Sequence, residues 1–175
     1  MAFVTREAHS ALFTRPAVPE HARRSRLRGV EELDRQIVQL LVEDGRMSYT
    51  DLGKATGLST SAVHQRVRRL EQRGVIKGYA AVVDAGSVGL PMTAFISVAP
   101  FDPSAPDDIA DRLADVPEIE ACHSVAGDEN YILKVRVATP IELEHLLARI
   151  RSLAGVSTRT TVVLSTPYEA RPPRL

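Results

Sequence analysis

The sequence has one cysteine and no tryptophan in 175 residues, and aromatic residues make up only 5% of it. A single cysteine excludes an intramolecular disulfide framework and a zinc site built from cysteines. So few aromatic side chains argue against a surface on which single-stranded bases stack. No apolar run approaches the ~20 residues that cross a membrane. We therefore expect a cytoplasmic protein without a membrane partner.

The chain also lacks net charge, since 22 Lys and Arg balance 22 Asp and Glu. Taken as a total, this argues against a nucleic-acid binder, which usually carries a basic excess. The charges are unevenly distributed, however. Residues 1–28 hold six arginines against two glutamates, residues 29–83 eight basic against seven acidic side chains, and residues 84–175 eight against thirteen. The neutral total therefore combines a basic first half with an acidic second half.

Residues 1–28 contain Pro16 and Pro19 and sustain no helical or strand period. They are predicted to form a flexible basic arm, which is either a solvated tail or a segment that touches DNA. Residues 29–78 show helical spacing instead. Three helices are predicted there: roughly 31–43, ended by Gly45; 51–56, capped by Thr50 and ended by Gly57; and a third, capped by Ser59 or Thr60, that runs to about Arg73 before Gly74. Two β-like segments, Val75–Ile76 and Tyr79–Val83, predict a two-stranded wing, and residues 79–91 an extended linker.

After residue 84 the apolar period shifts toward two, which is typical of strands. Strands are predicted at 92–100, 118–126, 129–138 and 156–165, and helices at 107–114 and 141–153. The order strand, helix, strand, strand, helix, strand is that of a ferredoxin-like βαββαβ domain. We expect an α+β protein with this domain at 92–166 and a tail at 167–175, preceded by a helix-turn-helix domain at 29–78.

Two glycines mark the helix-turn-helix. Such a motif needs a small residue in its first helix and a turn that reverses the chain within a few residues. Gly53 and Gly57 meet these demands, and Leu52, Leu58 and Val63 are expected to supply the contact between the helices. Gly53 costs ~1 kcal/mol of helix propensity relative to Ala, so its presence indicates a packing requirement.

The third helix predicts contact with DNA. Its apolar positions fall on one side, while the opposite strip carries hydrogen-bonding and cationic side chains and leaves Glu71 toward the core. Gln and Arg can bond bidentately to base edges in the major groove. We predict base contact by Ser61, His64, Gln65 and Arg68, and backbone contact by Arg66, Arg69 and Arg73. The two candidate cap residues, Ser59 and Thr60, are also predicted to bind DNA. The alternative is a solvated helix face, which the motif and the basic arm disfavour.

Several motifs occur in one order along the chain: Leu33–Leu40, Gly45–Ser48, Gly57–Ser59, Arg66–Glu71 and Gly74–Tyr79, then Pro117-Glu118, Cys122-His123, Val125–Asp128, Tyr131 and Lys134–Val137. They resemble the Lrp/AsnC family of bacterial transcription regulators over roughly residues 29–166. The resemblance implies a winged helix-turn-helix and an amino-acid-responsive domain of ferredoxin-like fold. It also implies dimers that assemble further, often to octamers, amino-acid effectors bound between C-terminal domains, and control of amino-acid metabolism genes.

The hairpin Gly127–Asn130 joins two predicted strands. Its backbone N–H groups could hold an α-carboxylate because glycine permits close approach, and Asp128 or Glu129 could pair with an α-ammonium. On the residues alone an ordinary polar hairpin is the alternative. The resemblance implies that Gly127 and Asp128 contact the effector, with Glu129, Asn130 and Tyr131 beside them. Thr158 and Thr160 are predicted to supply hydroxyls from a neighbouring subunit.

Two other function classes compete with a regulator. Cys122 and His123 could suggest a nucleophile and a base, but adjacent strand residues point to opposite faces. The sequence shows no other catalytic pattern and no metal-ligand spacing, so we expect no enzyme, no cofactor and no metal. The second competitor is an amino-acid-binding sensor or interaction module without DNA-binding activity. We favour a sequence-specific regulator of double-stranded DNA that responds to an amino acid.

Overall fold

A computed structural model describes residues 31–102, 104 and 106–171. The predicted basic arm and the last four residues lie outside this range. The chain divides into two compact units, one holding the described residues up to Ala80 and the other Ala81–Ala170. Within the described residues, no helix has the length and apolar character that crossing a membrane requires.

The first unit contains three helices: α1 (Glu32–Glu43), α2 (Tyr49–Thr56) and α3 (Thr60–Gln72). The second begins earlier than predicted because Ser48, and not Thr50, is its N-cap. The Ser48 hydroxyl accepts a hydrogen bond from the backbone N–H of Asp51 at 3.1 Å. The cap of α3 is Ser59, one of the two predicted residues, whose hydroxyl accepts from the N–H of Ala62 at 3.2 Å.

The core of this unit is small and apolar. It consists of five side chains that are fully inaccessible to solvent, Ile37, Leu52, Val63, Val67 and Leu70. Three of them lie on α3 at the predicted helical spacing, so the division of α3 into an inner and an outer side is confirmed. Leu58 is partly buried against the same cluster.

Gly53 is required by a close backbone contact. It lies in α2, and a Cβ atom built there would approach the carbonyl oxygen of Leu58 to 2.7 Å. The contact is with the turn that follows α2, and backbone cannot yield as a flexible side chain can. The packing requirement inferred from the sequence is therefore confirmed, and it explains a glycine inside a helix.

The two strands of the predicted wing are absent from this fully described stretch, so that detail of the prediction is wrong. The backbone N–H groups of Val75 and Ile76 both donate to the carbonyl oxygen of Leu70, at 2.9 and 3.2 Å. Gly74 permits this reversal with a φ of 66°, as predicted for a left-handed C-cap. Because these amides complete the end of α3, they do not pair with a second strand. Val75 and Ile76 instead pack on the core of the unit.

The second unit is a four-stranded antiparallel sheet with two helices. The strands are β1 (Met92–Pro100), β2 (Ile119–Ser124), β3 (Tyr131–Val137) and β4 (Val156–Val162), and the helices are α4 (Ile109–Arg112) and α5 (Pro140–Ala154). The sheet order is β2-β3-β1-β4. This order and the sequence of elements confirm the ferredoxin-like α+β prediction. The predicted helix at 107–114 shortens to a single turn, and three of the predicted strands shorten by two or more residues.

Alternation along the strands separates two faces. Ala94, Ile96 and Val98 of β1 are fully buried and pack with apolar side chains from α4 and α5. In the described part of the chain both helices lie on this face. The opposite face is here called the open face. It carries Thr93, Phe95 and Ser97 of β1 and their cross-strand neighbours Ile132, Lys134, Arg136, Arg159 and Thr161.

Residues beyond β4 return to the open face. Glu169 forms ion pairs with Lys134 and Arg136 of β3, and Glu120 pairs with the same two cations at 2.9 and 2.5 Å. The segment predicted as a tail therefore contributes a carboxylate to the sheet surface.

Replacing Gly53 with Ala should destabilise the first unit although it improves helix propensity. The added methyl group would press on the Leu58 carbonyl, and relieving that contact requires a backbone shift, with a cost of about 1–3 kcal/mol. Chemical denaturation followed by circular dichroism measures the loss, with Ala55→Gly at an exposed position of the same helix as the reference for propensity. A Gly53→Ala protein as stable as the parent would contradict the close contact.

Candidate functional site

The outer side of α3 is exposed and polar. Ser61, His64, Gln65 and Arg68 all lie on the surface, and Arg69 is exposed beside them. We call the first four the reading face. From residue 59 to residue 70 the sequence carries no Asp or Glu. The face therefore offers hydrogen-bonding groups and positive charge without a carboxylate that would repel phosphate.

The start of α3 is suited to an anion. Ser59 and Thr60 are exposed there, and the hydroxyls of Ser59 and Ser61 lie 3.1 Å apart. A helix N-terminus carries partial positive charge from its free N–H groups, which favours a phosphate at this end. The structure thus places the two predicted cap residues beside the reading face.

Two tyrosine side chains contact residues of α3. The rings of His64 and Tyr49 are 5.3 Å apart and inclined by 57°, so α2 supports the histidine. The Tyr79 hydroxyl donates to Glu71 at 3.2 Å, and burial together with this carboxylate raises the pKa of Tyr79 to about 12. Glu71 is exposed, so the prediction that it lies toward the core is wrong.

Arg66 lies apart from the other α3 arginines. One nitrogen of its guanidinium, Nη1, donates to Asp34 Oδ1 and to Glu31 Oε2, each at 2.8 Å. Its side chain is 21% exposed, and that of Asp34 only 2%. The sequence analysis predicts that Arg66 contacts the DNA backbone, and it does not identify Asp34 as a partner of Arg66. The available signal was the position of Asp34 on the apolar side of α1, one helical turn before Ile37.

Backbone hydrogen bonds close the hairpin between β2 and β3 and tie it to β1. The N–H of Val125 donates to Asn130 O and the N–H of Asn130 to Val98 O, each at 3.0 Å. Gly127, Asp128 and Asn130 are exposed. A Cβ atom at Gly127 would meet nothing nearer than Glu129 Oε2 at 4.0 Å, so the fold itself does not require glycine there.

Glu129 is already paired. Its carboxylate accepts from Arg159 of β4, a partner that the sequence pattern did not indicate. The pair joins the hairpin to β4, which is distant in sequence, and depends on the sheet order, so no local signal could have found it. Of the carboxylates in the hairpin, Asp128 is the more exposed candidate for an ammonium group.

Tyr131, Thr158 and Thr160 lie on strands and not in the hairpin itself. Tyr131 is 7% exposed, and its hydroxyl donates to Asp107 at 2.6 Å. This bond and burial raise the pKa of Tyr131 to about 12. Thr158 and Thr160 pair with Val98 and Ile96 of the buried face, and Thr158 accepts from Arg151 at 3.2 Å. Tyr131 thus has a structural role, and the threonines lie on the helix side of the sheet.

Cys122 and His123 are opposite Leu133 and Ile132 respectively, which lie on different faces of the sheet. They do not form a dyad, and burial raises the pKa of the Cys122 thiol, which disfavours a thiolate. Among the described residues, no group of three or more His, Cys, Asp or Glu side chains could hold a metal ion.

Two family models match the chain in the order of its two units. The AsnC-type helix-turn-helix domain matches residues 31–71, and the Lrp/AsnC ligand binding domain matches residues 93–173. The chain belongs to the Lrp/AsnC family. The second match reaches beyond Thr166 and includes the segment that carries Glu169. As a member of this family, the protein is a helix-turn-helix transcriptional regulator.

Similar proteins of known name agree. The HTH-type transcriptional regulator LrpA of Mycobacterium tuberculosis is 49% identical over 142 residues, which are 81% of this chain and 95% of LrpA. The leucine-responsive regulatory protein of Klebsiella pneumoniae is 36% identical over 140 residues, 77% of this chain and 85% of that protein. A solved structure of the M. tuberculosis feast or famine regulatory protein complexed with L-methionine is 48% identical with a TM-score of 0.81, covering 83% of this chain and 99% of that one. These relatives are named as regulators and not as enzymes.

Proposed function

We propose that this Lrp/AsnC regulator reads double-stranded DNA with the reading face of α3. Ser61, His64, Gln65 and Arg68 contact base edges, and Ser59, Thr60, Arg69 and Arg73 contact the phosphate backbone. The observation that carries this proposal is the exposed reading face, which contains no carboxylate, on a packed helix-turn-helix. The protein acts in the cytoplasm, where promoter DNA is accessible.

The chemistry of the reading face fits the major groove. Arg68 can bond bidentately to guanine O6 and N7, and Gln65 to adenine N6 and N7. Ser61 and the imidazole of His64 can act as donor or acceptor toward other base edges. The N-terminal end of a recognition helix points at the bases in this class of motif, which agrees with the position of Ser61 and Gln65 in the first half of α3.

A second copy of the chain covers the open face of the sheet in this proposal. Phe95 is 41% exposed there, and no helix of the described chain lies over it. The charged side chains of this face are paired with one another, which reduces the cost of covering them. A dimer presents two recognition helices to half-sites about one helical turn apart or a multiple of that. Further assembly, up to an octamer, adds DNA-binding units and raises the effective affinity for DNA.

The effector in this proposal is an amino acid bound at Gly127–Asn130. Backbone N–H groups at Gly127 hold its carboxylate, and Asp128 pairs with its ammonium group. Solved relatives from M. tuberculosis and Neisseria meningitidis, 48% and 29% identical, are complexed with L-methionine, which supports this ligand class. Thr158 and Thr160 of a neighbouring copy complete the site. Binding of the amino acid shifts the assembly or the spacing of the DNA-binding units. The regulated genes serve amino-acid metabolism.

Replacing Arg68 with Ala should weaken binding to a specific site by about 1–3 kcal/mol, because a bidentate contact to one base pair is lost. A band shift with DNA upstream of the protein's own gene measures this, and Arg35→Ala on α1 is the matched control. Arg35 is also an exposed helical arginine, but it lies outside the reading face. Equal affinity of the Arg68→Ala protein and the control would remove Arg68 from the base contacts.

Replacing Gly127 with Ala should leave the melting temperature of the free protein unchanged and reduce the shift caused by its effector. The fold has room for the methyl group. That group would, however, occupy the space of a carboxylate held on the backbone N–H groups. A thermal-shift screen of the twenty amino acids identifies the effector first. Asp128→Ala serves as a second variant that should lose the effector response and keep DNA binding. Normal responses in both variants would place the effector elsewhere.

A further inference from the structure

Asp34 is a buried carboxylate in the DNA-binding unit. It lies on the inner side of α1, and 2% of its side chain is exposed. The neighbouring core, which includes Ile37 and Val63, is apolar. Removing a carboxylate from water is costly unless a cation and hydrogen bonds replace the lost hydration. This residue therefore needs a fixed partner if the unit is to fold.

Arg66 is that partner, and it is on the recognition helix. Its Nη1 atom bonds to Asp34 and also to Glu31, which precedes α1, both at 2.8 Å. These bonds hold the pKa of Glu31 below its usual range and raise the pKa of Arg66. With 21% of its side chain exposed, Arg66 directs its charge into the protein, whereas Arg68 and Arg69 lie on the surface.

The ion pair between Asp34 and Arg66 is directional, whereas the apolar contact of α3 with the core is not. Val63, Val67 and Leu70 bury apolar surface, and the driving force of that burial is non-directional. A charge-assisted hydrogen bond at 2.8 Å tolerates much less displacement. Arg66 follows Gln65 directly in sequence and comes two residues before Arg68. A rotation that broke the pair would turn both reading residues away from their base edges.

We propose that Asp34 and Arg66 are positioning residues for DNA reading: the pair sets the rotation of α3 on α1, and Arg66 does not neutralise a DNA phosphate. This role goes beyond the general DNA-binding function of the family. The inference rests on the proposed function of α3.

Salt dependence separates this role from phosphate contact. Each neutralised phosphate adds about 0.9 to the slope of log affinity against log salt concentration. Arg66→Ala should keep the parent slope and lower the ratio of specific to non-specific affinity by about tenfold, which is ~1.4 kcal/mol. Arg69→Ala, the matched control on the same helix, should lose about 1 from the slope per bound subunit and keep the ratio. Fluorescence anisotropy on the upstream DNA and on a scrambled duplex gives both quantities.

A double variant keeps the test valid if Arg66→Ala fails to fold with its carboxylate unpaired. Asp34→Asn with Arg66→Met removes both charges at similar volume and should fold, as circular dichroism will show. It should retain the parent slope and the reduced ratio. A slope loss like that of Arg69→Ala, or a parent-like ratio in the double variant, would overturn the positioning role. If the parent protein itself does not prefer the upstream DNA over the scrambled duplex, the proposed function fails as well.

Discussion

The carboxylate of Asp34 lies inside the helix-turn-helix with 2% of its side chain exposed, and an ionised group in such a place needs a cation at hydrogen-bonding distance. Arg66 provides it from α3, the helix whose outer side forms the reading face. The five apolar core residues hold the helices together, but the burial of apolar surface is non-directional. The ion pair supplies the missing constraint, and the positions of Gln65 and Arg68 follow from it.

The two units divide the work of the protein, and their charges reflect this division. The first 83 residues are basic, in keeping with a partner made of phosphates, and the remainder are acidic. The second unit covers one face of its sheet with helices and leaves the other to Phe95 and a set of mutually paired charges. In the proposed dimer a second copy covers this open face, where Lys134 and Arg136 are already paired with Glu120 and Glu169.

Periodic features were predictable from the sequence, and contacts between distant segments were not. The spacing of Val63, Val67 and Leu70 indicated the inner side of α3, and alternation in β1 indicated its bounds. The wing was mispredicted because the amides of Val75 and Ile76 complete the end of α3, which β propensity does not reveal. Arg66 with Asp34 and Arg159 with Glu129 are pairs separated by 32 and 30 residues, and they exist only once the fold brings them together.

We propose that α3 reads base sequence as part of a two-fold symmetric assembly. Selection of the full chain against a random double-stranded DNA library, followed by sequencing of the bound fraction, tests it without the need to choose a promoter. We expect an enriched motif with two inverted half-sites whose centres lie about 10–10.5 base pairs, or a multiple of that, apart. A bound fraction with the same sequence composition as the input library would contradict it.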